Sequence, residues 1–389
     1  MTSLKTGLEN FLVGEGAAYA KASLGYLGNQ ASVGPNYVHG LKLLDQSFPG
    51  AVKKLFGPQH GWAGEKQDNM VESDHAFDAH GRPIYSLYGE TRRPTPEMLQ
   101  DLDAVLIDLV DVGTRVYTFA HTLSHFMEEA AKNGPEIIIL DRPNPIGGAE
   151  VEGNLLAGDC LSFVGLHPVP MRHGLTLGEL ALLINSRLPQ AADLKVVRIS
   201  GWSRDMYFPQ TGLPWVYPSP NLPSPDCAWV YPGQVLWEGT NISEARGTTR
   251  PFNLVGAPFI EAEALLDRLR ALDLPGVIFR PAHFQPTFHK WAGEMCRGLE
   301  LFPQNRTFKP YLTSLAILQI ILELWPDKFE LKKPPYEYEL QRRPLDLILG
   351  RNDLFGRLAE GESAEALERS WRGELQAFLA ERDKFILYP

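Results

Sequence analysis

Two carboxylates, two guanidiniums, an amide and several hydroxyls crowd into residues 237–252, Trp237-Glu238-Gly239-Thr240-Asn241-Ile242-Ser243-Glu244-Ala245-Arg246-Gly247-Thr248-Thr249-Arg250-Pro251-Phe252. The stretch is too polar for an ordinary core, and its glycines and Pro251 disfavour a regular helix or strand. Loops of this kind carry binding chemistry when a rigid scaffold holds them. Glycine lets the backbone approach a ligand, and the side chains offer donors and acceptors to a polyhydroxylated partner. The competing reading is a solvated surface loop.

Cleaving a glycosidic bond takes two carboxyl groups, an acid and a base or nucleophile. Carboxylates near predicted strand ends are Glu65, Glu72, Asp108, Asp111 and Asp141; Glu238 and Glu244 come from the polar stretch. Each has a plainer reading: Asp111 as a loop organiser paired with Arg115, Asp141 as a turn former before Arg142-Pro143, Glu65 as a solvated side chain. His60 follows a predicted strand and precedes Gly61. His173 precedes a helix start, where an anion is well placed. His121 and His125 share a helix face but lack a third ligand, so no metal site is expected. No G-x-S-x-G occurs, and none of the three cysteines, Cys160, Cys227 and Cys296, has a polar signature. No G-x-G-x-x-G follows the first strand and no G-x-x-x-x-G-K-[ST] occurs, so dinucleotide and P-loop fingerprints are missing.

The elements that must position these groups alternate. Strands are expected within 22–33, 51–56, 104–109, 136–140 and 194–199. Helices are expected at 37–46, from 94 to 101, at 118–133 and at 175–188, the last with Thr176 and Glu179 as a capping box. Ala104-Val105-Leu106-Ile107-Asp108-Leu109 is an apolar run typical of a strand covered on both faces. This order predicts an α/β fold: a Rossmann-like, mostly parallel sheet with helices on both faces. In such sheets ligands sit beyond the carboxyl ends of the strands, where the polar segments cluster. The second half, with helices at 258–272, 311–324, 345–350 and 364–385 and a strand at 276–280, reads as a smaller C-terminal α/β domain. The boundary is placed at 223/224.

Of 389 residues, 37 are Lys or Arg and 47 Asp or Glu, a net charge of −10 that argues against nucleic acid or an anionic membrane as the main partner. No apolar run approaches a membrane span, and the first ten residues lack a signal peptide's apolar core, so the expected location is cytoplasmic.

Seven ordered segments resemble the NamZ-type exo-β-N-acetylmuramidases: Gly57-Pro58-Gln59-His60-Gly61, Tyr85-Ser86-Leu87-Tyr88-Gly89, Asp108 to Thr118, Asp141-Arg142-Pro143-Asn144-Pro145, Arg172-His173-Gly174, Pro218-Ser219-Pro220-Asn221, and Glu238-Gly239-Thr240-Asn241 to Phe252. The resemblance runs from about Leu24 to the C-terminus. It implies an active cleft between the two domains and release of N-acetylmuramic acid from the non-reducing end of peptidoglycan fragments, without metal or nucleotide cofactor. Many relatives carry glutamate, a leading general acid/base, where this chain has Gln59. Glutamine delivers no proton near neutral pH. The acid/base role therefore passes to Glu72, or to Glu65, with Glu238 or Asp108 as the charge partner and Gln59 and His60 beside them. Arg115 and Arg172 would bind the lactyl carboxylate, since planar bidentate pairing suits arginine. Asn144, Asn221 and Asn241 would hold hydroxyl or acetamido groups, and Trp215, Tyr217 and Trp237 are possible stacking platforms. Tyr117, Asp111, Asp141, His173, Glu244 and Arg246 complete the expected substrate-binding set. Gln59 also motivates a rival, a non-catalytic glycan- or muropeptide-binding protein; the Rossmann-like sheet motivates another, a sugar transferase.

Overall fold

The computed structural model describes residues 4–67 and 70–389. Its main sheet is built from β1 (Leu24–Gly28), β2 (Val52–Gly57), β3 (Ala76–Phe77), β4 (Pro83–Ser86), β5 (Ala104–Asp108), β6 (Glu136–Leu140) and, after the separate strands β7 (Glu152–Leu155) and β8 (Pro170–Arg172), β9 (Leu194–Val197). The order is β3-β4-β2-β1-β5-β6-β9, parallel throughout except for the short antiparallel edge β3. Alternation along β5 shows both faces covered. Val105 and Ile107 pack with Phe126 and Ile184, from helices Phe119–Ala130 and Leu177–Arg187. Ala104 and Leu106 pack with Phe11 and Leu44, from helices Gly7–Val13 and Gly40–Ser47. Neighbouring residues of a strand point to opposite faces, so an unbroken apolar run is what a doubly covered strand needs.

The capping box of Thr176 and Glu179 opens helix Leu177–Arg187 as expected. The helix expected from Tyr37 starts at Gly40, because His39 Nδ1 caps it by accepting from the Leu41 amide.

In the second half, β10 (Leu254–Ala257), β11 (Val277–Phe284) and β12 (Cys296–Pro303) form an antiparallel sheet in the order β10-β12-β11. Only part of β11 was expected. Helix Pro225–Gln234 packs on helix Pro310–Leu324, and Gly233 permits the contact: a Cβ there would lie 1.9 Å from the Pro310 carbonyl oxygen.

Residues 237–252 are irregular apart from a 3₁₀ turn at Val235–Gly239 and isolated bridges at Thr240 and Ser243. They do not form a solvated loop: Trp237, Glu244 and Ala245 are each 0 % exposed. Their polar groups bury because they pair with one another and with neighbouring carbonyls. No helix among the described residues is long and apolar enough to cross a membrane.

Candidate active site

A polar pocket with a cavity volume of about 40 Å³ lies where the first and second halves of the chain meet. Gln59 and His60 reach it from the end of β2, and Tyr117 and Thr118 from the start of helix Phe119–Ala130. Ser219 and Asn221 come from the connecting segment; Glu238, Arg246, Tyr231, Tyr336 and Glu337 come from the second half.

Two carboxylates line it. Glu238 accepts from Arg246 Nη2 at 2.6 Å and from the Tyr336 hydroxyl at 2.7 Å. Glu337 accepts from the Tyr88 hydroxyl at 2.6 Å and from Gln59 Nε2 at 3.1 Å. Tyr336 and Glu339 exchange two backbone hydrogen bonds of 2.9 Å, closing a two-residue turn with φ +46° at Glu337 and +67° at Tyr338. Such left-handed turns are normally Asn-Gly. Placing Glu-Tyr there is strained, and strain of this kind gathers at functional sites. The Arg92 guanidinium lies 3.1 Å from the centre of the Tyr338 ring and braces the turn from outside.

His60 is also left-handed, φ +74°. Its Nδ1 sits 2.8 Å from the Lys66 carbonyl, which only accepts, so Nδ1 carries the hydrogen. Asn221 lines the pocket while donating to the Gln67 carbonyl at 2.9 Å.

Behind Glu238, Arg246 is held by Glu244. Glu244 meets Lys290 at 2.6 Å, Arg246 Nε at 3.3 Å and His289 at 3.4 Å. Burial alone would raise its pKa, but Lys290, His289 and Arg246 hold it at about 2. Glu244 thus acts on the pocket through Arg246 and does not line it.

Other residues expected at the site serve the scaffold. Glu72 does not line the pocket: its side chain is 55 % exposed and accepts from the Tyr338 hydroxyl at 3.2 Å, on the outside of the strained turn. Glu65 is exposed and accepts from the Ala63 amide. Asp108 is fully buried and pairs with Arg142 Nε at 2.5 Å and the Tyr26 hydroxyl at 2.7 Å. Among the described residues Arg115 meets no carboxylate. It donates to the carbonyls of Asn154, Val169, Ile348 and Leu349, and burial pulls its pKa down to about 10. Asp111 organises its loop by accepting from the Gly113 amide at 2.8 Å, and the side chain facing it is the His173 imidazole at 3.5 Å, not Arg115.

Arg172 is buried against the Ile146 carbonyl and the Tyr207 hydroxyl, away from the pocket. Asp141 caps helix Leu177–Arg187 through Gly178 N and Thr176 Oγ1, and burial raises its pKa to about 6. Asn144 ties the Leu175 carbonyl to the Ile146 amide, and Asn241 ties the Lys328 carbonyl to the Glu330 amide. Trp237 is sealed in the core with its Nε1 on Gln234, Trp215 donates to the Leu222 carbonyl, and Tyr217 is 45 % exposed outside the pocket lining. Sequence reasoning passed over Glu337 and Tyr336, and gave no role to Tyr88 although its segment carries the resemblance. The available signal was Pro334-Pro335-Tyr336-Glu337-Tyr338, aromatic residues around an acid in a proline-punctuated turn.

Comparison with known proteins agrees over the whole chain. Residues 24–226 match the family model described as exo-beta-N-acetylmuramidase NamZ, N-terminal, and residues 229–388 its C-terminal counterpart. The peptidoglycan beta-N-acetylmuramidase NamZ of Bacillus subtilis (strain 168) is 40 % identical over 386 residues, 99 % of this chain and 91 % of that protein. The crystal structure of a DUF1343 family protein from Bacteroides fragilis NCTC 9343 superposes with a TM-score of 0.90 at 32 % identity, covering 100 % of both chains. A second DUF1343 family protein of that strain gives 0.74 at 25 % identity, covering 100 % of this chain and 99 % of that one.

Proposed function

This chain belongs to the exo-β-N-acetylmuramidase NamZ family, and from that premise we propose that it is an exo-acting glycosidase releasing terminal N-acetylmuramic acid from the non-reducing ends of peptidoglycan fragments. The observation that carries the reading is one polar pocket lined by two buried carboxylates, Glu238 and Glu337, together with Gln59, His60 and Asn221. With the domain boundary placed at 223/224, residues 1–223 supply one wall of the pocket and residues 224–389 the other. Positive charge develops on the sugar as the glycosidic bond breaks, and preorganised carboxylates stabilise it. Arg246 and Tyr336 fix the orientation of Glu238, and Asn221 offers an amide to sugar hydroxyl or acetamido groups.

The test compares hydrolysis of p-nitrophenyl β-N-acetylmuramide with that of the β-N-acetylglucosaminide. Release from the muramide alone is expected, with Glu238→Gln lowering kcat/KM by roughly 100-fold or more. Equal release from both sugars, or none from either, overturns the reading. Gln59 favours one other reading, a protein that binds muropeptides without cleaving them, because the amide in the pocket carries no labile proton. That reading requires saturable muropeptide binding with no reducing sugar formed.

A further inference from the structure

The orientation of Gln59 is set by its neighbours. The Thr118 hydroxyl donates to Gln59 Oε1, so the amide nitrogen turns to the other side and donates to Glu337 Oε1. The Tyr88 hydroxyl donates to Glu337 Oε2. Both oxygens of Glu337 therefore accept hydrogen bonds, and accepting at both is what an ionised carboxylate does best. Gln59 and Tyr88 are buried along with Glu337, so these bonds form in a medium where they count for more than in water. The left-handed backbone at Glu337 aims the group into the pocket, and Arg92 stacked on Tyr338 keeps it there.

We propose that Glu337 is a catalytic carboxylate of this chain and that Gln59 is its positioning residue, an amide that donates as a protonated carboxyl group would but never loses the proton. This rests on the glycosidase reading above. The charge of Glu337 faces the sugar as positive charge develops there, and Gln59 keeps that charge available down to lower pH than a titrating neighbour would. A glutamate at position 59 would set two carboxyl groups at the present 3.1 Å separation, and like charges that close cannot both ionise. The pair would then share a proton in the pH range where the native protein shares none.

The experiment is the pH profile of kcat/KM on p-nitrophenyl β-N-acetylmuramide for the full chain and three variants, with thermal melts and muropeptide binding alongside. Glu337→Gln should lower kcat by about 100-fold or more while KM stays within roughly threefold. Gln59→Glu should move the acidic limb up by about one pH unit or more. Tyr88→Phe, which removes one donor and no charge, should move the same limb up by less and lower kcat about tenfold. A role confined to folding would shift melting temperature without moving the limb. Native-like kcat in Glu337→Gln, or an unmoved acidic limb in Gln59→Glu, overturns the proposal while leaving the glycosidase reading intact. If Glu337→Gln fails to fold, the other two variants decide through the limb alone. A native chain that releases no sugar overturns the glycosidase reading and this proposal with it.

Discussion

Arg115 and Leu349 are joined by a guanidinium-to-carbonyl hydrogen bond of 2.9 Å across 234 residues of sequence. Three further carbonyls, those of Asn154, Val169 and Ile348, share the same side chain. An arginine expected to hold a substrate carboxylate instead fastens helix Pro344–Leu349 to the main α/β layer. Arg115→Met keeps much of the volume and strips the donors, leaving buried carbonyls unpaired. It should cost about 3 kcal/mol or more, read as a fall in the urea midpoint.

Glu244 is the anchor behind Arg246. Glu244→Gln would leave Lys290, Arg246 and His289 around a neutral amide, with Arg246 buried and Lys290 half-buried. Breaking a buried ion network by removing one partner costs about 3–5 kcal/mol. Calorimetry should show a large drop in Tm, and kcat should fall as Arg246 loses its hold on Glu238. A melting curve unchanged by the substitution refutes the anchoring role.

Glu72 stands outside the strained turn, exposed, and meets the Tyr338 hydroxyl and, at 3.9 Å, the Arg92 guanidinium. Exposed polar contacts contribute little. Glu72→Gln should therefore keep at least about a third of native kcat/KM on the muramide substrate. A loss of hundredfold or more would return the acid role to Glu72.

Acid should expose His121. Burial, with the charges of His167 and His125 nearby, pulls its pKa from 6.5 to about 3. The folded-state pKa lies below the unfolded one, so the unfolded chain takes up the proton first. The stability His121 contributes is present above pH 6.5 and is lost as pH falls toward 3. His125 and His167, lowered to about 4, act the same way; Asp141, raised to about 6, acts oppositely. His121→Gln should flatten the fall of stability with acidification by up to about 1.4 kcal/mol per pH unit, read from urea titrations between these limits. Parallel curves for the two proteins would contradict this.

What was legible in the sequence was local. The unbroken apolar runs of β5 and β6 announce covered strands, and Thr176 with Glu179 announces a helix start. Each signal depends only on neighbours a few residues away. The strand ends also pointed to Gln59 and His60, which line the pocket. What stayed hidden depends on distant partners. Nothing near Asp108 says that Arg142 and Tyr26 will neutralise it, and nothing near Arg115 says that four carbonyls will surround it. The polarity of residues 237–252 suggested exposure because the Lys290 that meets Glu244 lies some forty residues further on. Glu337 was passed over because its importance lies in a left-handed φ and in a contact with Gln59, 278 residues away.

The Tyr388 hydroxyl bonds Asp141 at 2.6 Å, and the Leu387 amide bonds Glu179 of the capping box at 2.9 Å. During synthesis the first sheet thus emerges from the ribosome with its keystone missing. Glu179 and Asp141 lack these two partners until 208 and 247 further residues, respectively, have been added. The amino-terminal layer can form early, but its helix-capping corner closes only once residues 387 and 388 have emerged, which couples the final ordering of one half to the other.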